Sequence, residues 1–132
     1  TAARNLARYL EQTYDRRPIT LVIGILDDKP YRAMLSVLLP VCSRVVCTQP
    51  KINRALPAQK LAAAAAGTQA GIETIADVSR AIQHAVDTLP ADGLVCIAGS
   101  LYVVGEAKDA FEKGAIKNVK TIPSAKRSLL DI

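Results

Sequence analysis

The chain has 132 residues, of which half are apolar and 22% are charged, and its formal net charge is +5. This size and composition are typical of one globular domain with its own core and exclude a disordered chain. The longest apolar runs fall far short of the about 20 residues that cross a bilayer. The N-terminus also lacks the charged-then-apolar order of a secretory signal. We therefore expect a cytoplasmic protein that does not bind membranes.

Basic residues outnumber acidic ones by 17 to 12, and many of them lie near the two ends of the chain. These are Arg4, Arg8, Arg16, Arg17, Lys113, Lys117, Lys120, Lys126 and Arg127. A solvated basic surface explains the excess, and so does a surface that faces anionic substrates or ATP. Nucleic acid is not an expected partner, because the chain has one Phe, no Trp and no interleaving of aromatic with basic residues.

The three cysteines, Cys42, Cys47 and Cys96, lie in apolar surroundings, and the last two fall within predicted buried strands. Their odd number argues against a closed disulfide framework, and their spacing, with His84 as the single histidine, is not that of a zinc site. We expect small buried side chains in a reducing compartment and no metal ligand.

The first half of the chain alternates helical and strand patterns. The pattern predicts, in chain order, a helix over 2–14, a buried strand over 19–26, a helix whose apolar stripe runs from Tyr31 to Leu38, and a strand over 44–48. Pro30 is expected at the first position of the second helix, and Pro40 is expected to end it.

A loop over 49–57 separates this half from the second, in which the same alternation continues. The pattern predicts a helix over 58–66 ended by Gly67, a short strand over 72–75, a helix capped by Asp77, a strand over 94–98, and a helix over 101–112. The polar and basic residues 115–132 predict a short final strand or a loose tail.

Strands alternating with helices at this spacing predict an α/β fold, a Rossmann-like, mostly parallel sheet with helices on both faces. Ligands of such sheets bind outside the carboxyl ends of the strands. Polar groups follow three predicted strands, at Asp27-Asp28-Lys29, Thr48-Gln49 and Gly99-Ser100. We therefore expect a ligand site at this edge, although the pattern does not name the ligand.

Several common site motifs are missing from the sequence. There is no Gly-x-Gly-x-x-Gly after the first strand, no phosphate loop ending in Gly-Lys-Ser/Thr, and no Gly-x-Ser-x-Gly turn. We also expect no histidine paired with a carboxylate as a general base.

The turn Gly99-Ser100 is the most informative segment, because it joins a buried strand to a helix whose first turn exposes unpaired N–H groups. Such a terminus favours an anion such as a carboxylate or phosphate. Ser100 has two interpretations on this evidence, a helix N-cap or a ligand-binding hydroxyl.

The stretch Gly99-Ser100-Leu101-Tyr102-Val103-Val104-Gly105-Glu106 resembles the C-terminal signature of folylpolyglutamate synthases and bifunctional dihydrofolate synthases, members of the Mur ligase superfamily. Other segments agree with that family in order, so that the resemblance covers roughly residues 1 to 107. They are Ala2-Ala3-Arg4-Asn5-Leu6, Val22-Ile23-Gly24-Ile25-Leu26-Asp27-Asp28-Lys29, Leu38-Leu39-Pro40, Arg44-Val45-Val46-Cys47-Thr48 and Asn53-Arg54-Ala55-Leu56.

The resemblance implies a single Mur ligase C-terminal domain over residues 1–132, expected to be monomeric. In the family the central domain binds ATP and Mg²⁺, and the C-terminal domain closes over it. A folate or pteroate carboxylate is converted to an acyl phosphate, and the amine of L-glutamate then forms the amide. By this resemblance the substrate and ATP cleft of this chain comprises Ser100, Asp28, Lys29, Arg54 and Tyr102, none of them assigned as catalytic.

Alternatives stay open at this point. Asp28 and Lys29 are also consistent with a solvated turn, and Arg54 with a loop charge. The family's Asp-Gly-Ala-His-Asn motif, its phosphate loop and its carbamylated lysine would lie before Thr1, so we expect a fragment of a longer chain that does not catalyse alone. Other candidate functions are the C-terminal domain of a cell-wall Mur amino-acid ligase and a non-catalytic α/β module that binds a small anion.

Overall fold

The computed structural model describes residues 2–119 and the backbone of residues 130–131. Its helices are α1 (Ala2–Thr13), α2 (Tyr31–Leu38), α3 (Ala58–Ala65), α4 (Val78–Asp87) and α5 (Leu101–Glu112), with a 3₁₀ turn at Leu39–Val41. Its strands are β1 (Ile19–Gly24), β2 (Arg44–Cys47), β3 (Gly71–Thr74), β4 (Leu94–Gly99) and β5 (Leu130–Asp131). Among the residues described, no helix is long and apolar enough to cross a membrane.

The strands form one parallel sheet in the order β3-β2-β1-β4-β5. All six residues of the central strand β1 are buried, as is typical of a parallel strand covered on both faces. In register, Leu21 lies beside Val45 on one side and Cys96 on the other, and Gly24 lies beside Gly99. The predicted Rossmann-like sheet is therefore confirmed.

Helices cover both faces of this sheet because side chains alternate along each strand. Leu21 and Ile23 pack into a core with α1, α2 and α3. Val22 and Val46 pack into a second core with α4 and α5. Each fully buried aliphatic side chain of this kind contributes about 1.5–3 kcal/mol through removal from water.

The predicted elements are all present, but some of their ends differ from expectation. β1 ends at Gly24, because Leu26 leaves the ladder and forms an antiparallel bridge with Ala55. Pro30 lies at the N-cap position, one residue before the first helical residue of α2, and not at the first position as expected. Pro40 does not directly end α2 either, since it lies within the 3₁₀ turn that follows.

The segment after α5 is described as far as residue 119. Ile116 is buried in the second core, and Gln83 on α4 forms two hydrogen bonds with the backbone of Lys117. The predicted final strand is present as β5, which pairs with the end of β4. The alternative of a loose tail falls partly on residues 120–129, which lie outside the described residues.

The three thiols differ in burial more than the sequence suggests. Cys47 is fully buried and Cys42 is buried, but Cys96 is only half-buried, contrary to expectation. Removal from water raises the pKa of Cys42 to about 12 and those of Cys47 and Cys96 to about 11. All three are free thiols, so they act as small apolar side chains.

The carboxyl ends of β1 and β4 approach so closely that one position accepts only glycine. Gly99 has φ +124°, and a Cβ built there would lie 1.9 Å from the carbonyl oxygen of Gly24. The same carbonyl accepts a 2.9 Å hydrogen bond from Ser100 N–H, so it cannot retreat without losing that bond. Glycine at 99 is thus a structural requirement of this edge.

Replacing Gly99 with Ala is expected to cost at least about 3 kcal/mol in the free energy of unfolding, through backbone strain and the steric overlap with Gly24. Gly105→Ala is the matched control, because a Cβ there meets nothing within 4 Å on α5. The control should gain about 0.5–1 kcal/mol. Urea unfolding of the two variants measures both changes in the free energy of unfolding. A loss below about 1 kcal/mol for Gly99→Ala would contradict the close approach of Gly99 to Gly24.

Thiol labelling of the native chain near neutral pH is expected to modify Cys96 before Cys47. The pKa values of the two thiols are raised to the same value of about 11, so access decides the order, and Cys47 is completely buried whereas Cys96 is not. Mass spectrometry of timed samples resolves the sites, with urea-unfolded chain as the control in which all three react together. Modification of Cys47 ahead of Cys96 in the native chain would show that β2 is not buried as described.

Candidate functional site at the carboxyl edge of the sheet

The three polar segments predicted to share an edge do share it. β1, β2 and β4 are parallel neighbours, so the segments after Gly24, Cys47 and Gly99 all leave the sheet on the same side. In open parallel sheets this is the side on which ligands bind. The topology thus supplies the common location, and the individual side chains determine what the edge can hold.

Ser100 is the N-cap of α5. Its Oγ accepts a hydrogen bond from Val103 N–H at 3.2 Å, and its extended backbone is that of a cap residue. The residue is only 7% exposed. The hydroxyl proton is not used by this cap, so it can still be donated to an oxygen of a bound anion. The structure therefore establishes the cap and leaves a donor available.

The first turn of α5 is more accessible than its cap. Leu101 is 65% exposed and Tyr102 is 47% exposed. Their N–H groups are the first two of the helix, which have no carbonyl partner within it. Together with the partial positive charge of the helix N-terminus, they form an electropositive end directly at the sheet edge. Tyr102 thus lies at the predicted edge, with its ring half-exposed.

Asp28 and Arg54 are brought together, although they are far apart in sequence. Arg54 Nη2 lies 2.7 Å from Asp28 Oδ2, and both side chains are about half-exposed. The loops after β1 and β2 are also joined through their backbones, because Asp27 N–H donates to Arg54 O and Leu56 N–H donates to Ile25 O. Lys29, in the same turn, is exposed. Sequence reasoning named these residues and did not predict their pairing.

Thr48 and Gln49, the third predicted strand end, use their side chains for structure. Thr48 Oγ1 donates to the carbonyl of Ala76 at 2.8 Å. Gln49 Oε1 accepts from Ala58 N–H at 2.9 Å and so caps the start of α3. With these bonds in place, the two residues hold the edge together and offer little to a ligand.

Lys51 links two helices to the loop after β2, and sequence analysis missed this contact. Its backbone N–H donates to Glu106 Oε2 on α5 at 2.8 Å, and its Nζ lies 3.4 Å from Asp77 Oδ1 at the start of α4. Asp77 also accepts from Arg80 N–H, and these partners lower the pKa of its carboxyl, the Arg80 bond most strongly. The predicted Asp77 cap is confirmed.

His84 is paired with a carboxylate, a contact that the sequence did not indicate. His84 Nε2 contacts one oxygen of Glu73, and Arg44 pairs with the other. Arg44 also donates to the carbonyl and hydroxyl oxygens of Thr88 at the end of α4. Since α4 begins at the carboxyl edge, its last turn lies towards the opposite edge. The cluster therefore ties β2, β3 and α4 together away from the candidate site.

The part of the chain covered by residues 2–119 contains no group of three or more His, Cys, Asp or Glu side chains that could hold a metal ion. The carboxyl edge instead combines the N-terminus of α5, the Ser100 hydroxyl, the Arg54–Asp28 pair and Lys29. Chemically, this arrangement can bind a carboxylate or phosphate, and Asp28 adds an acceptor for a cationic group.

Comparison with known proteins gives a consistent result. A family model described as "Mur ligase, glutamate ligase domain" matches residues 1–101. A curated relative from Halobacterium salinarum, named probable bifunctional folylpolyglutamate synthase/dihydropteroate synthase, is 36% identical over 99 residues. The match covers 74% of this chain and only 12% of the relative.

Solved structures agree in architecture. Folylpolyglutamate synthase from Mycobacterium tuberculosis, complexed with ADP and AMPPCP, superposes with a TM-score of 0.73 at 34% identity, over 83% of this chain and 27% of that chain. Escherichia coli FolC in complex with DHPP and ADP gives a TM-score of 0.78 at 20% identity, over 86% of this chain and 26% of that chain. At 20% identity, the similarity to the Escherichia coli protein shows a shared fold and nothing more.

Glu73→Gln is expected to lower the free energy of unfolding by about 0.5–1 kcal/mol at pH 7, as for other partly exposed ion pairs. Arg44, and to a lesser degree His84, lower the pKa of Glu73 in the folded chain. Its stabilisation is therefore complete above the unfolded-state pKa of about 4.3 and is lost as pH falls through the folded value.

The difference between wild type and Glu73→Gln should accordingly shrink below about pH 4. Urea unfolding at pH 7 and pH 3 measures it, with Glu112→Gln as the control on an exposed carboxylate. A difference that stays constant over this range would mean that the Glu73 charge does not contribute.

Proposed function

The chain belongs to the Mur ligase, glutamate ligase domain family, and we propose that it is the C-terminal domain of an ATP-dependent folylpolyglutamate or dihydrofolate synthase. The resemblance carried by the Gly-Ser-Leu-Tyr turn is thereby confirmed at the level of the family. The relatives that match are several times longer than this chain, so the activity proposed is that of the whole protein.

One observation carries the proposal: the exposed N-terminus of α5 and the Arg54–Asp28 pair lie at the same edge of the sheet. L-Glutamate presents two carboxylates and one amine. The unpaired N–H groups of α5, the Ser100 hydroxyl and the guanidinium of Arg54 suit the carboxylates, and Asp28 suits the ammonium form of the amine.

In the proposed reaction a folate or pteroate carboxylate takes the γ-phosphoryl group of ATP and ADP leaves. The ammonium group of glutamate then loses a proton to solvent, and the neutral amine attacks the acyl carbon. The bond from this carbon to the phosphate oxygen breaks, phosphate leaves, and the nitrogen loses a second proton as the amide forms. The residues of this chain bind and orient L-glutamate, so that its amine faces the acyl carbon. The exposed side chains of Leu101 and Tyr102 lie beside this edge, where apolar groups would exclude water from a hydrolysable intermediate once the cleft is closed.

We propose that ATP and Mg²⁺ are bound mainly by the central domain, as the resemblance implies. The Mycobacterium tuberculosis relative is complexed with ADP and AMPPCP, which supports a nucleotide in this reaction. We further propose that the central domain is the direct protein partner of this chain, that the enzyme is a cytoplasmic monomer, and that the isolated chain does not ligate glutamate.

Two substitutions at Ser100 separate its roles in the full-length protein. Ser100→Ala removes both the cap and the hydroxyl donor. Ser100→Asp keeps a good cap but places a negative charge where an anion is proposed to bind. We expect both to lower kcat/KM for L-glutamate by about 10- to 150-fold, the effect of losing one charge-assisted hydrogen bond.

The free energy of unfolding of the same two variants separates loss of the cap from loss of ligand binding. Ser100→Ala should cost about 0.5–2 kcal/mol of folding free energy, and Ser100→Asp should restore it. If Ser100 only caps α5, then Ser100→Asp will have both wild-type stability and wild-type kcat/KM, and the site proposal fails. Glutamate-dependent ADP release with dihydropteroate or folate tests the substrate class, and release only with a cell-wall precursor would assign the chain to the other ligases.

A further inference from the structure

Glu106 belongs to the motif that carries the family resemblance, yet the proposed site gives it no role. Its Oε2 accepts a hydrogen bond from the backbone N–H of Lys51 at 2.8 Å. The two residues are 55 positions apart, so this bond joins α5 to the loop after β2. Because the acceptor is a carboxylate, the bond belongs to the stronger, charge-assisted class.

The loop after β2 is tied at both ends to segments that directly follow neighbouring strands. Gln49 N–H donates to Ala76 O at its start, and Leu56 N–H donates to Ile25 O at its end. Between these ties lies the segment 50–54, which carries Arg54. Its contact with α5 is made by the Glu106 carboxylate.

The second contact of Lys51 is weaker. Its Nζ lies 3.4 Å from Asp77 Oδ1, but the Lys51 side chain is 78% exposed. Exposed pairs of this kind contribute little because water and salt screen them. The bond to Glu106 also lies at the surface, but it is shorter, at 2.8 Å, and its donor is held by the main chain and not by a long flexible side chain. It is therefore the stronger of the two Lys51 contacts.

We propose that Glu106 is a positioning residue, which sets the 50–54 segment so that Arg54 and the N-terminus of α5 face the same ligand. Arg54 is also held from the β1 side, by Asp27 N–H on its carbonyl and by Asp28 on its guanidinium, so Glu106 adds the constraint that relates this loop to α5. The proposal rests on the function proposed above, since it takes L-glutamate as that ligand.

The hydrogen bond itself is tested without any activity. Amide hydrogen exchange at Lys51 is followed in the chain, relative to the amides of β1. Glu106→Ala should accelerate exchange at Lys51 by at least about tenfold, because the amide loses its acceptor. Glu106→Gln keeps an acceptor oxygen and should stay within about threefold of wild type. Lys108→Ala, an exposed position on the same helix, is the control.

The consequence for function is tested by steady-state kinetics of the full-length protein. Glu106→Ala should raise KM for L-glutamate by about 10- to 100-fold, as expected when a binding group is misplaced. KM for ATP should stay within about threefold of wild type, and Glu106→Gln should restore most of the glutamate affinity.

Three outcomes would overturn the proposal. Unchanged Lys51 exchange in Glu106→Ala would remove the hydrogen bond on which it depends. Equal kinetic defects in Glu106→Ala and Glu106→Gln would mean that the charge contacts substrate directly. A lowered urea midpoint with unchanged KM would leave Glu106 a structural role only. Failure of the proposed function is recognised separately, by wild-type protein that shows no glutamate-dependent ADP release.

Discussion

The contact between the carboxyl ends of β1 and β4 determines the geometry of the whole candidate site. The carbonyl of Gly24 accepts the N–H of Ser100, and Gly99 turns through a φ that only glycine adopts easily. This turn sends α5 away from the sheet with its N-terminus at the edge. Gly24 itself has no room for a side chain, because a Cβ there would meet Val103 and the carbonyl of Thr48. Two glycines thus allow a helix start, a strand end and a neighbouring loop to meet at one place.

The remaining polar groups at this edge divide into those that hold it and those that remain available. Thr48, Gln49 and Asp77 bind backbone groups of neighbouring segments, so their hydrogen-bonding capacity is largely used within the fold. Arg54 uses one of its five N–H donors on Asp28, and the others have no partner among the described residues. The groups that remain available therefore lie beside backbone segments that these hydrogen bonds hold in place.

The sequence predicted the architecture well because that architecture follows from local patterns. The buried β-branched run of β1, the helical stripes and the capping residues Asp77 and Ser100 each specify their element without long-range information. The prediction was weaker at element ends, as at Leu26, where a bridge to Ala55 replaces ladder pairing. Bridges of this type depend on a residue far away in sequence, which periodicity does not detect.

The site was predictable only in outline, for the same reason. Strand ends and a resemblance were enough to name Ser100, Asp28, Lys29, Arg54 and Tyr102. The pairing of Asp28 with Arg54, the bond from Lys51 to Glu106 and the Glu73–His84 contact all join side chains that lie on different elements. A carboxylate on an exposed helix face gives the same local signal whether it is solvated or holds a loop. Only the presence of Glu106 in the quoted motif could have indicated that it has a partner.

The charge pattern of the edge also discriminates between ligand classes. A phosphate would benefit from the α5 N-terminus, Lys29 and Arg54, but Asp28 lies against Arg54 and would repel it. An amino acid carries a cationic group as well as carboxylates, so the same Asp28 becomes favourable to it. Because the ion pair is half-exposed, water screens both effects, and the preference amounts to a modest factor in affinity and not to strict exclusion. If L-glutamate is the ligand, as proposed, this charge pattern favours an amino acid over a phosphate at the edge.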